Sequence, residues 1–155
     1  LRRAGQRVWL CPEIQCTHLK RWTPRALFRS DIFDRAVPWT QLILRERNLP
    51  NTLNLDTRNR ASALLAWTIV ASALGGFWSA WLWTVMPVAL GALLALNSEL
   101  YRMFARRGGT VFTLGAIGLH FLYFLYSSAV FAALVGAACV RSVCAPAKRL
   151  INRSA

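Results

Sequence analysis

The chain has 155 residues, is 55% hydrophobic and carries a formal charge of +13. Twelve of its 19 Lys and Arg precede residue 61, three lie between Arg102 and Arg107, and four lie from Arg141 to Arg153. Basic residues that flank apolar stretches follow the positive-inside rule and suit anionic headgroups, which argues for the lipid bilayer as partner and against nucleic acid. The first 60 residues are polar and too few to bury a sizeable core alone. The composition therefore divides the chain into a short polar segment and a membrane region.

Leu1 to Gly5 (LRRAG) reads as the last turn of a helix, with Gly5 as its stop. Val8, Trp9 and Leu10 form a short apolar strand closed by Pro12, and Ile14 to Thr17 read as a second extended piece. Residues 1–22 thus have the pattern of the trailing edge of an α/β domain. A chain that opens in this way on Leu is expected to be a fragment or a truncated reading frame. Cys11, Cys16, Cys139 and Cys144 make two C-x4-C pairs with no His at finger-like spacing, so free, buried or interfacial thiols are expected.

Thr23-Pro24 starts a helix, with Thr as N-cap and Pro at the first helical position. The helix is expected to run to Ala36, carrying Leu27, Phe28, Ile32 and Phe33, and Pro38 ends it by disfavouring helix at Val37. A second helix, Trp39 to Arg47, carries Leu42, Ile43 and Leu44. Such a pair either lies in the membrane interface or packs its apolar faces on a soluble domain. Asp31 and Asp34 sit at i, i+3 beside Arg29 and Arg35, which predicts a solvated, salt-bridged face. Asn48 to Asn54 is a turn-rich linker, and residues 23–60 form the interfacial unit.

Between Arg60 and Glu99 lie 38 residues without an ionisable group, too long for one crossing of about 20 residues and suited to a hairpin. Its helices are expected at about 61–80 and 83–104, splitting near Gly75-Gly76, with Trp78, Trp81 and Trp83 as an aromatic belt. The return helix tolerates Pro87 and runs on to Tyr101, Met103 or Phe104, after which Arg102 to Gly109 form a basic loop. A third uncharged stretch of 33 residues, Gly108 to Val140, supplies a span at about 110–138. His120, Tyr123 and Tyr126 lie along one side of that helix. His120 is the ionisable candidate within a span. It contacts a lipid or acceptor together with Tyr123, or it joins helices through a hydroxyl. Three crossings from a cytoplasmic start leave the basic tail 141–155 outside, against the positive-inside rule; a re-entrant third stretch would keep it inside. The fold class is mainly α: interfacial amphipathic helices, then about three transmembrane helices, with a short α/β remnant at the N-terminus.

The run from LRRAGQRVWL through HLKRWTPRALFRSDIFDRAVPWTQLILRERNLPNTLN resembles the end of the catalytic domain of a bacterial membrane-bound family 2 glycosyltransferase. LNSELYRMFARRGG followed by LHFLYFLY is similar to the end of such enzymes, and the resemblance covers the chain up to about Val140. It implies a GT-A type catalytic domain of which only the last elements are present. In that family a Q-x-x-R-W motif helps to hold the acceptor and the donor's diphosphate. Arg21 and Trp22 match its Arg and Trp, and His18 stands where Gln is usual. A guanidinium suits phosphate oxygens, and an indole stacks on a sugar or base. His18, Arg21 and Trp22 are thus the implied substrate-binding residues.

The resemblance also implies a D-x-D-type site for a divalent metal (Mg or Mn) and nucleotide-sugar, and a later acidic base. None of the six acidic residues, Glu13, Asp31, Asp34, Glu46, Asp56 and Glu99, forms D-x-D. No catalytic residue is therefore expected in this stretch, no cofactor is expected on it, and the 155 residues alone are expected not to transfer a sugar. The complete enzyme would take a nucleotide-sugar donor and a lipid-linked or glycan acceptor, at the cytoplasmic face of the bacterial membrane, with the N-terminal part cytoplasmic. The alternative is a small non-catalytic membrane subunit or scaffold.

Overall fold

The computed structural model describes residues 5, 9, 11–16, 23–49, 51 and 55–151, with side chains to residue 142. Five α-helices follow in order: α1 (Pro24–Arg29), α2 (Val37–Glu46), α3 (Thr57–Gly75), α4 (Leu82–Leu96) and α5 (Ser98–Ile151), with a π-helical segment, Ser30–Ala36, joining α1 to α2. Among the described residues there is no strand. The expected helix over Leu1 to Gly5 and strand at Val8–Leu10 lie largely outside those residues. A turn at Pro12 and Glu13, closed by the Ile14 N–H on the Cys11 carbonyl at 3.1 Å, precedes the piece expected to be extended, whose described residues, 14–16, are irregular. Pro12 supplies the fixed φ that such a turn favours.

Thr23 caps α1 as expected, its hydroxyl accepting the Ala26 N–H at 3.2 Å. The break expected at Pro38 does not occur. The helix passes into π geometry ahead of the ring, and the Val37 N–H donates to the Ile32 carbonyl, five residues back. A proline ring inside a regular α-helix collides with the carbonyl four residues earlier, and a widened turn relieves that collision. Arg47, in the left-handed conformation at φ 48°, ends α2.

Asp56 starts α3 as N-cap, accepting the Asn59 N–H at 2.8 Å and the Asn59 side-chain amide at 2.7 Å. Those bonds hold its carboxyl below the usual 3.8. Asn51 knits the same turn, its Oδ1 accepting from the Thr57 N–H at 2.9 Å and from Arg60 Nη2 at 2.8 Å.

The hairpin expected from the uncharged run is present as α3 and α4. Its turn falls at Gly75-Gly76, where a Cβ on Gly76 would stand 2.5 Å from the Trp83 indole and one on Gly75 2.6 Å from Leu82. Phe77, Trp78 and Trp81 in the turn are exposed. The return helix is shorter than expected. Asn97 ends it by donating its amide to the Leu93 carbonyl and to the Ser62 hydroxyl on α3, both at 2.9 Å. The basic stretch Arg102–Arg107 is helix, not loop. Gly109, at φ 72° and ψ −177°, is non-helical and divides α5 into two helical arms near the boundary the sequence placed there, in a conformation that a side chain strains.

α5 returns along the hairpin, and Phe124, 1% exposed, closes on Ala66 and Leu93 to make the core. The π-helical segment and α2 pack against α5 from the other side. Beside this apolar core, several hydroxyl and polar residues are buried while large apolar ones are exposed. On α3, Ser62 is 0% exposed while Leu64 is 72% exposed, and Ser72 is buried where Leu74 is not. On the α1–α2 unit, Ser30, Asp31 and Thr40 are buried, whereas Phe33, Trp39, Leu42 and Leu44 face outward.

Among the described residues, one helix is long and apolar enough to cross a membrane: Ser98–Ser142, with 45 residues and a stretch of 18 whose mean hydropathy is 1.8. The expectation of about three such helices is thereby reduced to one. α4 has 15 residues, roughly 22 Å of rise against a hydrocarbon core of about 30 Å. α3 begins with the polar turn Thr57 to Arg60, and the aromatic turn takes the residues that would have lengthened it.

Candidate functional site

A cavity of about 360 Å³ opens where three walls meet. The π-helical segment and α2 supply Asp31, Arg35, Trp39 and Ile43. The approach to α3 and its first turns supply Leu55, Asn59, Arg60 and Ala63. The middle of α5 supplies Tyr123, Ser127 and Phe131. The lining is mostly apolar, with its charges contributed by Asp31, Arg35 and Arg60.

Asp31 is the structural centre of this site. It is 8% exposed, accepts the Tyr126 hydroxyl on Oδ2 at 2.6 Å and binds Arg35 Nη1 through Oδ1 at 3.0 Å. The Phe28 ring meets Tyr126 edge-on at 5.3 Å. A buried carboxylate held by a hydroxyl from one element and a guanidinium from its own is compensated on both oxygens. The solvated face expected for Asp31 and Asp34 is therefore found only at Asp34, which is exposed. Tyr126, which the periodicity placed beside His120 and Tyr123, supplies the signal for this contact; its partner 95 residues earlier was not legible.

His120 and Tyr123 stack at 6.1 Å but differ in what else they touch. Tyr123 lines the cavity. His120 instead shares a hydrogen bond with the Tyr101 hydroxyl through Nδ1 at 3.0 Å, and its ring packs on Phe124 at 4.3 Å. That bond joins the two arms of α5 across the bend at Gly109, a use of His120 that suits helix joining better than ligand contact. A second cross-link, unmarked in the sequence, runs from Trp67 Nε1 on α3 to the Ser128 hydroxyl on α5 at 2.9 Å.

His18, Arg21 and Trp22 lie outside the described residues, immediately before the Thr23 cap. Cys11, Cys16 and Cys139 are exposed free thiols. A second, polar depression on the first arm of α5 is lined by Glu99, Arg102, Met103, Arg106 and Arg107.

No family model, curated protein or solved structure matches this chain.

Proposed function

We propose that this chain is the membrane-anchoring, C-terminal part of a bacterial family 2 glycosyltransferase. The complete enzyme moves a sugar from a nucleotide-sugar to a lipid-linked or glycan acceptor at the cytoplasmic face. The reading rests on the resemblance of the HLKRW stretch and its surroundings. One structural observation supports it: that stretch ends at Trp22, and the next residue caps a helical unit tied to α5 through Asp31 and Tyr126. In this reading the contact fixes the height of His18, Arg21 and Trp22 above the lipid. Arg21 holds donor phosphate oxygens, Trp22 stacks on the sugar or base, and His18 hydrogen-bonds the acceptor. The catalytic acids and the divalent metal belong to the preceding catalytic domain.

In this reading α5 crosses the bilayer, and the hairpin, whose α4 is too short to span it, packs beside α5 within the membrane. Ser62, Ala66 and Ser72 turned inward and Leu64, Trp67 and Leu74 turned outward support that placement, because small and hydroxyl residues favour helix contacts inside lipid. A non-catalytic membrane subunit is the second reading. It is favoured by how three of the six carboxylates are used: Asp31 on Tyr126 and Arg35, Asp56 on its cap, Glu99 on Arg58.

The test is Arg21→Ala in an enzyme carrying this chain behind its catalytic domain. Turnover is expected to fall roughly tenfold to a hundredfold, the worth of a charge-assisted hydrogen bond, with expression unchanged. Undiminished turnover refutes the role of Arg21. Sugar transfer by the isolated 155 residues refutes the division of labour.

A further inference from the structure

The cavity beside Asp31 combines features that a sugar-handling surface does not need. Its floor is hydrocarbon and aromatic, from Trp39, Ile43, Leu55 and Phe131. Its charges do not cancel. Asp31 is neutralised by Arg35, and Arg60 is left in excess. The hydrogen bonds of Arg60 go to uncharged oxygens, Asn51 Oδ1 at 2.8 Å and the Asp56 carbonyl at 3.4 Å. Arg35 contacts Asp31 through one nitrogen, and its side chain is 61% exposed, so further guanidinium donors face outward. A basic rim over an apolar cleft between membrane helices is the arrangement that binds anionic lipid headgroups.

We propose that this cavity holds one molecule of an anionic phospholipid from the surrounding bilayer. Its phosphate diester rests on Arg60 and Arg35, and an acyl chain lies along Trp39, Ile43, Leu55 and Phe131. Bilayer phospholipid is the occupant because mass action favours the amphiphile in greatest supply. The outward residues of the same helical unit, Phe33, Leu42 and Leu44, are themselves suited to hydrocarbon. A volume of about 360 Å³ lies near the lower limit of ligand pockets, enough for one chain and not for a whole lipid, so the second chain stays in the bilayer. The bound lipid would seal the junction between the interfacial unit and α5. The inference rests on the membrane placement proposed above but not on sugar transfer.

The test uses the full chain in nanodiscs of phosphatidylcholine doped with phosphatidylglycerol, with retained lipid counted by native mass spectrometry. Wild type is expected to retain one phosphatidylglycerol in preference to phosphatidylcholine. Arg60→Gln is expected to lower that retention about tenfold, the equivalent of one charge-assisted hydrogen bond. The double change Arg102→Gln with Arg106→Gln, outside the cavity, leaves it unaltered. Ala63→Trp fills the cleft while keeping both arginines, and it is expected to lower retention as well; circular dichroism of each variant checks that the helices persist. Equal retention of both lipids, or wild-type retention by Arg60→Gln, overturns the inference. Stoichiometric displacement by an added isoprenoid phosphate at lower concentration also overturns it, by assigning the cavity to a substrate lipid. A chain that enters nanodiscs and retains no phosphatidylglycerol refutes this inference alone, whereas failure to enter them refutes the membrane placement too.

Discussion

Tyr126→Phe isolates the contact that joins the interfacial unit to α5. The substitution keeps the ring and its edge contact with Phe28, and removes only the hydroxyl that reaches Asp31 at 2.6 Å. Three magnitudes compete. Ordinary polar contacts between helices in bilayers average about 0.6 kcal/mol. A hydrogen bond to a charged group contributes about 1.5–3 kcal/mol. Breaking a fully buried ion pair costs about 3–5 kcal/mol. Asp31 is 8% exposed and keeps Arg35 at 3.0 Å after the change, so the middle range applies. The assay is reversible unfolding in mixed micelles across a titration with dodecyl sulfate, followed by circular dichroism. Tyr126→Phe, Asp31→Asn and their combination complete a double-mutant cycle. A coupling of about 1–2 kcal/mol is expected, because Asn still accepts a weaker bond from the tyrosine. A coupling below about 0.5 kcal/mol, the level at which independent sites add, refutes the contact as the tie between the two units.

Gly76→Ala is expected to destabilise the chain by about 1–3 kcal/mol, since its Cβ would fall 2.5 Å from the stiff Trp83 indole. Gly75→Ala meets only the end of the flexible Leu82 side chain and is expected to cost less, so unfolding midpoints that rank the two the other way refute the packing argument. Asn97→Ala leaves the buried Ser62 hydroxyl without its donor and is expected to cost about 1–3 kcal/mol, with Ser62→Ala milder, in the same unfolding assay. Asp56 is held below its ordinary value of 3.8 chiefly by the Asn59 N–H, so its stabilisation is complete above that value and is lost as pH falls through the lower folded one. Thermal melts of wild type should therefore decline below pH 3.8 more steeply than those of Asp56→Asn, which caps without a charge.

How much of this was legible depended on the range of the interaction. The Thr23 cap, the Gly75-Gly76 turn and the uncharged hairpin are local, and each was readable from a few adjacent residues. Pro38 misled because the rule against proline in a helix assumes α geometry. A π turn ahead of the ring satisfies the same sterics without a break. Asn97 misled in the opposite direction. Nothing near it marks a helix end, and its amide stops α4 by reaching Ser62, 35 residues away on another helix. The break expected around Gly108-Gly109 is present but confined to one non-helical residue at φ 72°, while the basic stretch before it is helix. At the cavity, Tyr123 could be picked out by its spacing. Arg60 and Asp31 could not, since their roles arise only where α3, α5 and the interfacial unit converge.

The polarity of the buried surfaces describes how the amphipathic pair meets the rest of this chain. A pair that packed its apolar face on the rest of this chain would bury Phe33, Leu42 and Leu44 first, because each such side chain gains about 1.5–3 kcal/mol on leaving water. Here those residues face outward, and Ser30, Asp31 and Thr40 occupy the contact with α5. Thr40 is satisfied within its own helix, its hydroxyl donating to the Ala36 carbonyl at 2.7 Å. Asp31 is satisfied by Tyr126 and Arg35. Burying polar groups and exposing apolar ones is unfavourable in water and favourable where the outer medium is hydrocarbon. The same inversion on α3, with Ser62 inward and Leu64 outward, extends the argument to the hairpin. That pattern is the basis on which we propose an apolar outer medium for the interfacial unit and the hairpin alike.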